Sequence, residues 1–341
     1  MDKFFNTQRL GALLVTGFVL TFGALSPVQA AVFKVATLAP DGGSWMKVMR
    51  SAGKDIEQAT DGRVKFKFYP GGVMGSDEAV MRKIRFRQLQ GGAVSGGALT
   101  EAYSDIQVYT LPLKFKTFAE VDYVRERMDK KILEGIEKGG FVTFGLAEGG
   151  FAYVLSQAPI RSTEDLKSRK VWIPNNDPGA LVAVEAFGVS PIPLNVSDVL
   201  AGLQTGLVDT VATSPIGAIA LHWHSRVKYM SDVPIMYIFA LMALDKKVFD
   251  KLAPEDQAVV REKMSAAFAT IDAQNRADNV NAYQALLKQG INLVTLGDQD
   301  REQWYRLATE AEQNMLRKGV VSEATVKELD QHLADFRALQ Q

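Results

Sequence analysis

The 341-residue sequence has no cysteine, few histidines and no excess charge of either sign. Without cysteine, the chain has no disulfide and no lipid-modified N-terminal cysteine, so its stability rests on core burial. His222 and His224, two residues apart, would face different ways on a helix, and His332 is remote, so no metal site is expected. Equal numbers of basic and acidic residues give no reason to expect nucleic acid as a partner.

Motifs for catalysis are also missing. The sequence contains no G-x-S-x-G nucleophile elbow, and no Lys-Ser/Thr pair follows the Gly-rich stretch at 91–98, as a phosphate loop requires. We therefore expect a protein that is not an enzyme and needs no metal or cofactor. The alternative, a secreted enzyme with Glu148 or Asp77 as its base, has little support from the motifs.

The first thirty residues are typical of a secretory signal peptide. Lys3 and Arg9 give a basic start, residues 10–25 form an apolar run, and the small residues Val28 and Ala30 stand at the spacing of a cleavage site. We predict cleavage after Ala30 and export to the periplasm. The alternative is an uncleaved membrane anchor.

The remainder of the chain indicates two α/β lobes. Removing thirty of 341 residues leaves 311, above the size at which one core usually splits into two domains. A β-α-β-α-β pattern fills the first third, and a second run of strands and helices starts near residue 150. A helical pattern then begins at Pro254 and continues to about Gln289, where Gly290 ends it.

Two such lobes with polar turns at their strand ends favour a solute-binding protein, because ligands bind at strand ends and hinged lobes can close on them. Trp45 begins an apolar helical stripe and is predicted to be core, and Asp177 before Pro178 is predicted to cap a helix. The basic run at 82–88 is predicted to be a solvated helix face. Glu148, between apolar strand segments, is predicted either to face the surface or to line a cleft.

Several segments, in order along the chain, resemble one family. They are YPGGVMGSDEAV at 69–80, TLPLKF at 110–115, TEDLKSRKVWIP at 163–174, GVSPIPLNVSDVLAGLQTGLVDTV at 188–211 and VFDKLAPEDQAVV at 248–260. Together they resemble the DctP-like solute receptors of tripartite ATP-independent periplasmic (TRAP) transporters, from Ala31 to about Gly290.

The resemblance implies a two-lobed periplasmic binding protein of the α/β class, with mixed sheets, hinge strands and a long helix spanning both lobes. We predict lobe I to comprise residues 31–150 plus about 236–275, and lobe II residues 151–235 plus about 276–341. The implied partners are a small-molecule solute and the small and large integral membrane subunits of an ion-coupled TRAP permease. A ligand-sensing module that docks onto a signalling receptor is the alternative.

The resemblance also indicates where the ligand site lies and how it departs from the family pattern. The family has an arginine at the end of a K-[IL]-R-V-P strand that pairs with a substrate carboxylate, and here Trp172 stands at that position. A second arginine of some members corresponds to Ala152, and a ligand-binding asparagine corresponds to Thr213 or Ser214. Further candidate ligand contacts are Thr37, Leu38, Ala39, Asp77, Ala98, Leu99, Glu148, Phe151, Asn175 and Val196.

These departures predict a change of ligand. A carboxylate in this cleft would lack its cationic partners, and burying it unpaired would cost several kcal/mol. The chain therefore resembles a branch of the family without the carboxylate-binding arginine, and we expect its ligand to be less polar than a simple dicarboxylate. Trp172 would offer such a ligand a flat apolar wall and one N–H donor. The alternative is that its indole packs in the core.

Overall fold

The computed structural model describes residues 30–175 and 177–340. The predicted signal peptide, apart from Ala30, lies outside the described residues. The strands are β1 Ala31–Thr37, β2 Val64–Tyr69, β3 Gly91–Ser95, β4 Phe141–Val142, β5 Ala147–Ser156, β6 Trp172–Pro174, β7 Ile192–Leu194, β8 Thr210–Thr213, β9 Tyr229–Ser231, β10 Met236–Asp245 and β11 Asn292–Val294.

The α-helices are α1 Ser44–Ala59, α2 Asp77–Arg85, α3 Phe118–Lys138, α4 Thr163–Lys167, α5 Pro178–Ala186, α6 Val199–Thr205, α7 Pro215–Ala220, α8 Lys246–Phe249, α9 Pro254–Lys288, α10 Asp298–Arg317 and α11 Glu323–Ala338. Short 3-10 helices occur at Gly96–Leu99, Ser104–Thr110, Val196–Asp198 and Trp223–Arg226. In the described part of the chain, no helix combines the length and the apolar character that crossing a bilayer requires.

A single mixed sheet joins the two lobes, with the strand order β11-β9-β5-β10-β3-β1-β2. In lobe I, β1 runs parallel to β2 and β3. The ten-residue strands β5 and β10 pair antiparallel in the middle, and the far end of β5 pairs with β8 and β9 of lobe II. β5 and β10 are therefore the strands that pass between the lobes, and the predicted α/β fold with mixed strands is confirmed.

The 35-residue helix α9 confirms the predicted long helix. Pro254 starts it, since proline tolerates the first turn, and Gly290 follows its end at a φ of 94° that suits glycine. Met264 and Phe268 of its first half are buried in the core beneath β1 and α1, while Leu286 near its end is buried against lobe II. The helix therefore contributes to the cores of both lobes.

Two glycine-containing segments have a local structure of their own. Helix α1 begins at Ser44, and Gly43 at its cap position has no side chain that could cap it. In the segment GGAVSGGAL, β3 ends at Ser95 and the chain continues as a 3-10 helix. The Phe239 ring lies where a Cβ on Gly96 would be, 2.6 Å away, so only glycine permits this close packing.

Side chains of α9 hold β5 where that strand passes between the lobes. The Glu148 side chain is completely buried and is paired with Arg276 of α9, which also pairs with Asp122 of α3. Asn275 donates to the carbonyl of Glu148 at 2.8 Å, and Asn279 donates to the carbonyl of Gly149 at 3.0 Å. We call this set of contacts the β5 clamp.

The two C-terminal helices pack on different parts of the molecule. Trp304 of α10 lies edge-on to Phe187 of lobe II, with ring centroids 5.8 Å apart. Phe336 of α11 packs on Tyr123 of α3, with centroids 5.3 Å apart. Our predicted boundaries placed both helices in lobe II, whereas α11 packs on a helix of lobe I. The exact division into lobes stays a prediction.

The β5 clamp leads to a stability prediction. Arg276→Ala leaves the buried Glu148 carboxylate without its cation, which typically costs about 3–5 kcal/mol. We expect the free energy of unfolding, measured by urea titration, to fall by that amount. Lys327→Ala, which breaks an exposed pair with Glu323, is the control and should change it by less than about 1 kcal/mol. Equal effects of the two substitutions would contradict a structural role for the clamp.

Candidate functional site

A cavity of about 1690 Å³ lies between the lobes. Lobe I contributes Leu38, Ala98 and Phe239, and lobe II contributes Trp172 and Val196. Most of this wall is apolar, and its residues come from strands, 3-10 helices and the loop after β1. A concave, mainly apolar cavity with a few polar groups is the usual form of a small-molecule site. Among the described residues, no cluster of side chains suited to a metal ion is present.

Trp172 is both a core residue and part of the cavity wall. Its side chain is 6% exposed and lies edge-on to Trp223, with ring centroids 5.0 Å apart. The indole Nε1 donates to the carbonyl of Leu194 at 3.0 Å, which joins β6 to its neighbour β7. The expectation that this N–H serves a ligand is therefore corrected: the donor is already used, and Trp172 offers the cavity an apolar surface.

Asp77 stands at the lobe I side of the cavity, on the first turn of α2. Its Oδ2 accepts from the backbone N–H of Ser95 at 3.0 Å and from the Ser95 hydroxyl at 2.7 Å. Burial raises the pKa of Asp77 in spite of these two bonds, which favour the charged form. The carboxylate thus fixes the end of β3 and still faces the cavity.

Asp177 stands on the lobe II side. As predicted, it caps α5, because its Oδ1 accepts from the backbone N–H of Ala180 at 3.1 Å. The same oxygen accepts from the buried amide of Gln107 at 3.2 Å, so a hydrogen bond crosses between the lobes. Burial raises the pKa of Asp177, more than these bonds lower it. Asp177 therefore has two roles, as the cap of α5 and as a polar group of the cavity wall. The sequence indicated only the first of these roles.

Asn175 and Thr213 also line the cavity. The Asn175 amide lies 3.5 Å from a carboxylate oxygen of Glu78, a second contact between the lobes. Thr213 ends β8, and the neighbouring Ser214 caps α7 by accepting from the N–H of Gly217 at 3.3 Å. Because that hydroxyl serves the helix and does not line the cavity, Ser214 is corrected as a ligand contact, and Thr213 is the better match for the family's asparagine.

The loop after β1 is tied down by hydrogen bonds. Thr37 is buried, and its hydroxyl accepts from the N–H of Ala39 at 3.1 Å. The carbonyls of Thr37 and Ala39 accept from Gly72 and Gly71 at 3.0 and 2.9 Å. Only Leu38 of this loop lines the cavity, so Thr37 and Ala39 are corrected from ligand contacts to residues that support the loop.

Four other candidates lie away from the cavity and are also corrected. Glu148 is buried in the β5 clamp, and Phe151 packs on Phe118 with ring centroids 4.8 Å apart. Ala152 pairs with β10 and is fully buried, as is Leu99. For the three strand residues, a position in an aligned strand does not tell which face of the sheet the side chain occupies, and Leu99 lies in a 3-10 helix.

The candidates that do line the cavity are Leu38, Asp77, Ala98, Trp172, Asn175, Thr213 and Val196. Their part in binding stays a prediction. The contributions of Gln107, Ser95 and Phe239 were not predicted, because their positions follow from long-range packing. The apolar run at 236–245 predicts a strand that contains Phe239, but it does not indicate which face of the sheet the Phe239 side chain occupies.

A cavity between two α/β lobes joined by crossing strands defines a solute-binding protein. The family model for bacterial extracellular solute-binding proteins, family 7 (DctP), matches residues 35–318. The chain belongs to this family, whose members bind solutes and are not enzymes.

The relatives and solved structures agree with this assignment. The chain is 25% identical to the YiiZ protein of Salmonella typhimurium, over 63% of this chain and 66% of that protein. It is 23% identical to the sialic acid-binding periplasmic protein SiaP of Vibrio cholerae, over 82% and 88% respectively. A TRAP periplasmic solute-binding protein of Xanthobacter autotrophicus, solved with β-D-galacturonate, has the same fold at 19% identity and a TM-score of 0.80, covering 89% of this chain and 99% of that one.

The contact between the lobes leads to one prediction. A Cβ on Gly97 would lie 2.6 Å from Oδ2 of Asp177, so Gly97→Ala should displace that carboxylate and weaken its bonds to Ala180 and Gln107. Losing a hydrogen bond of about 1 kcal/mol should speed amide hydrogen exchange at Ala180 roughly fivefold. Gly297→Ala, at the start of α10 with its nearest neighbour at 3.5 Å, is the control. Unchanged exchange at Ala180 in Gly97→Ala would show that the lobes absorb the methyl group.

The raised pKa of Asp77 leads to a prediction about the pH dependence of stability. Between its ordinary value of 3.8 and its raised native value, the native state binds more protons than the unfolded state, so the free energy of unfolding falls as pH rises. Asp77→Asn removes this component. Its stability relative to wild type should therefore increase as pH rises through this window, as measured by urea titrations across the range. A pH-independent difference would contradict the assignment.

Proposed function

We propose that the chain is the receptor of a TRAP-type transporter, which captures a small organic ligand and delivers it to a permease of small and large membrane subunits. We further propose that the ligand is less polar than a simple dicarboxylate. The observation that carries the second proposal is Trp172, the first residue of β6, where the family resemblance places a carboxylate-binding arginine.

The surroundings of Trp172 support this proposal. Trp223 and Val196 extend the apolar wall, and the Trp172 N–H is already bonded to Leu194. A carboxylate placed against this wall would lose hydration and gain neither a cation nor that donor, which is unfavourable by several kcal/mol. Relatives such as the sialic acid-binding and galacturonate-bound proteins take acidic solutes, so the proposal separates this chain from them.

The direct test of the ligand is to denature protein purified from its native host and identify the released small molecule by mass spectrometry. A neutral or cationic molecule with an apolar portion would support the proposal. A mono- or dicarboxylate would overturn it. Cross-linking in native membranes tests the partner: recovery of permease subunits supports delivery to a transporter, and recovery of a signalling receptor alone would favour a sensing role.

A charge-restoring substitution makes a second test. Trp172→Arg places a guanidinium at the start of β6, where its planar fork suits a carboxylate. We expect wild type to show no binding of D-galacturonate by calorimetry and Trp172→Arg to gain measurable affinity.

Leu293→Arg is the matched control, since Leu293 is an exposed residue of lobe II outside the cavity wall. Circular dichroism of each variant establishes that it is folded. A folded Trp172→Arg protein that ignores galacturonate would show that the charge argument is wrong. Binding by wild type would overturn the lower-polarity ligand.

A further inference from the structure

The charged side chains on the cavity wall are unequal in number. Five acids and three bases line it: Asp77, Glu78, Glu101, Asp177, Glu185, Arg82, Arg85 and Lys318. This imbalance is opposite in sign to that expected of a receptor for organic acids, in which a cation of the protein meets an anion of the ligand.

All three bases already have partners. Arg82 lies 3.6 Å from Glu78, Arg85 lies 2.9 Å from Glu101, and Lys318 lies 3.2 Å from Glu185. Each of these six side chains is at least 46% exposed, so the pairs stand at the rim of the cavity, where water and salt screen them. The charge that remains inside belongs to Asp77 and Asp177.

These two carboxylates face the same short segment from opposite lobes. Asp77 bonds to Ser95, and Oδ2 of Asp177 lies against Gly97, two residues further along the chain. The hydrogen bonds described above use Oδ2 of Asp77 and Oδ1 of Asp177. None of these four bonds uses Oδ1 of Asp77 or Oδ2 of Asp177.

The protein does not fully compensate the two charges. Both carboxylates lie at helix N-termini, which favour negative charge, yet burial raises the pKa of each. The ionised forms therefore lack stabilisation that a positive group would supply. A cation bound between them would gain two charge-assisted hydrogen bonds in a partly desolvated site.

We propose that the ligand carries an ammonium or similar cationic donor group, which binds between Asp77 and Asp177. Its apolar portion lies along the wall formed by Trp172 and Val196. This inference rests on the proposed function and deepens it, because it assigns a charge to a ligand that the proposed function describes only as less polar than a dicarboxylate. In this arrangement each lobe supplies one carboxylate to the cationic group of the ligand. Ligand binding therefore favours the arrangement in which the two lobes are close together.

The test uses sets of compounds with matched carbon skeletons and different charges. Phenethylamine, phenethyl alcohol and hydrocinnamate form one set, and hexylamine, hexanol and hexanoate form another. Binding to the full chain is measured by calorimetry and by the change in tryptophan fluorescence, since Trp172, Trp223 and Trp304 line the cavity. We expect the amine of a set to bind at least about tenfold more tightly than the alcohol, because hydrogen bonds to charged groups are worth about 1.5–3 kcal/mol.

Asp77→Asn and Asp177→Asn should each remove most of this preference for the amine while keeping the shape of the cavity. Two controls match their positions in helices. Asp298→Asn changes an exposed aspartate at the start of α10, and Asp245→Asn changes one that caps α8 by accepting from Val248. Both controls should keep the wild-type preference. Circular dichroism checks that all four variants fold.

The outcomes separate this inference from the proposed function. If the alcohol binds as tightly as the amine in wild type, the cationic ligand is wrong, whereas the less polar ligand stands. If the carboxylate of a set binds most tightly, both are wrong. A preference for the amine that persists in Asp77→Asn and Asp177→Asn would also overturn the assignment, because another group would then supply the attraction.

Discussion

The β5 clamp is the interaction on which the two-lobed arrangement rests. β5 passes from one lobe to the other, and at Glu148 it carries a carboxylate with no access to water. Such a charge is stable only with a partner, and Arg276 of the long helix provides it. The same helix bonds to the backbone of Glu148 and Gly149 through asparagines. Helix and strand are thereby fixed to one another where the lobes meet.

A second charged group strengthens this junction. Arg125 of α3 pairs with Asp129 and Asp272, and Asp272 also accepts from the backbone N–H of Glu148 at 2.7 Å. Charges buried in this way stabilise a fold only when every partner is present, so they favour one arrangement of α3, β5 and α9 over others. The cavity is distinct from this junction: within the described residues, its two inner carboxylates, Asp77 and Asp177, have hydrogen bonds but no salt bridge.

Much of the fold was predictable because it follows from local chemistry. The span of α9 follows from Pro254, the acidic first turn and Gly290, and the cap of α5 follows from Asp177 before Pro178. The candidate site was predictable only in part. Leu38 and Trp172 lie at strand ends and line the cavity, whereas Glu148 and Phe151 lie in strands and face the interior. A strand pattern gives the alternation of faces, but the partner strands and helices decide what each face meets.

By itself, the sequence determined the α/β class, the long helix, the family and the absence of an arginine at position 172, because each depends on residue type and order. Only the tertiary structure decided how the side chains are used. It directed the Trp172 N–H to Leu194, placed Glu148 against Arg276, and set Asp177, the cap of α5, on the cavity wall within reach of Gln107. These outcomes depend on contacts between residues far apart in the chain, which local patterns do not record.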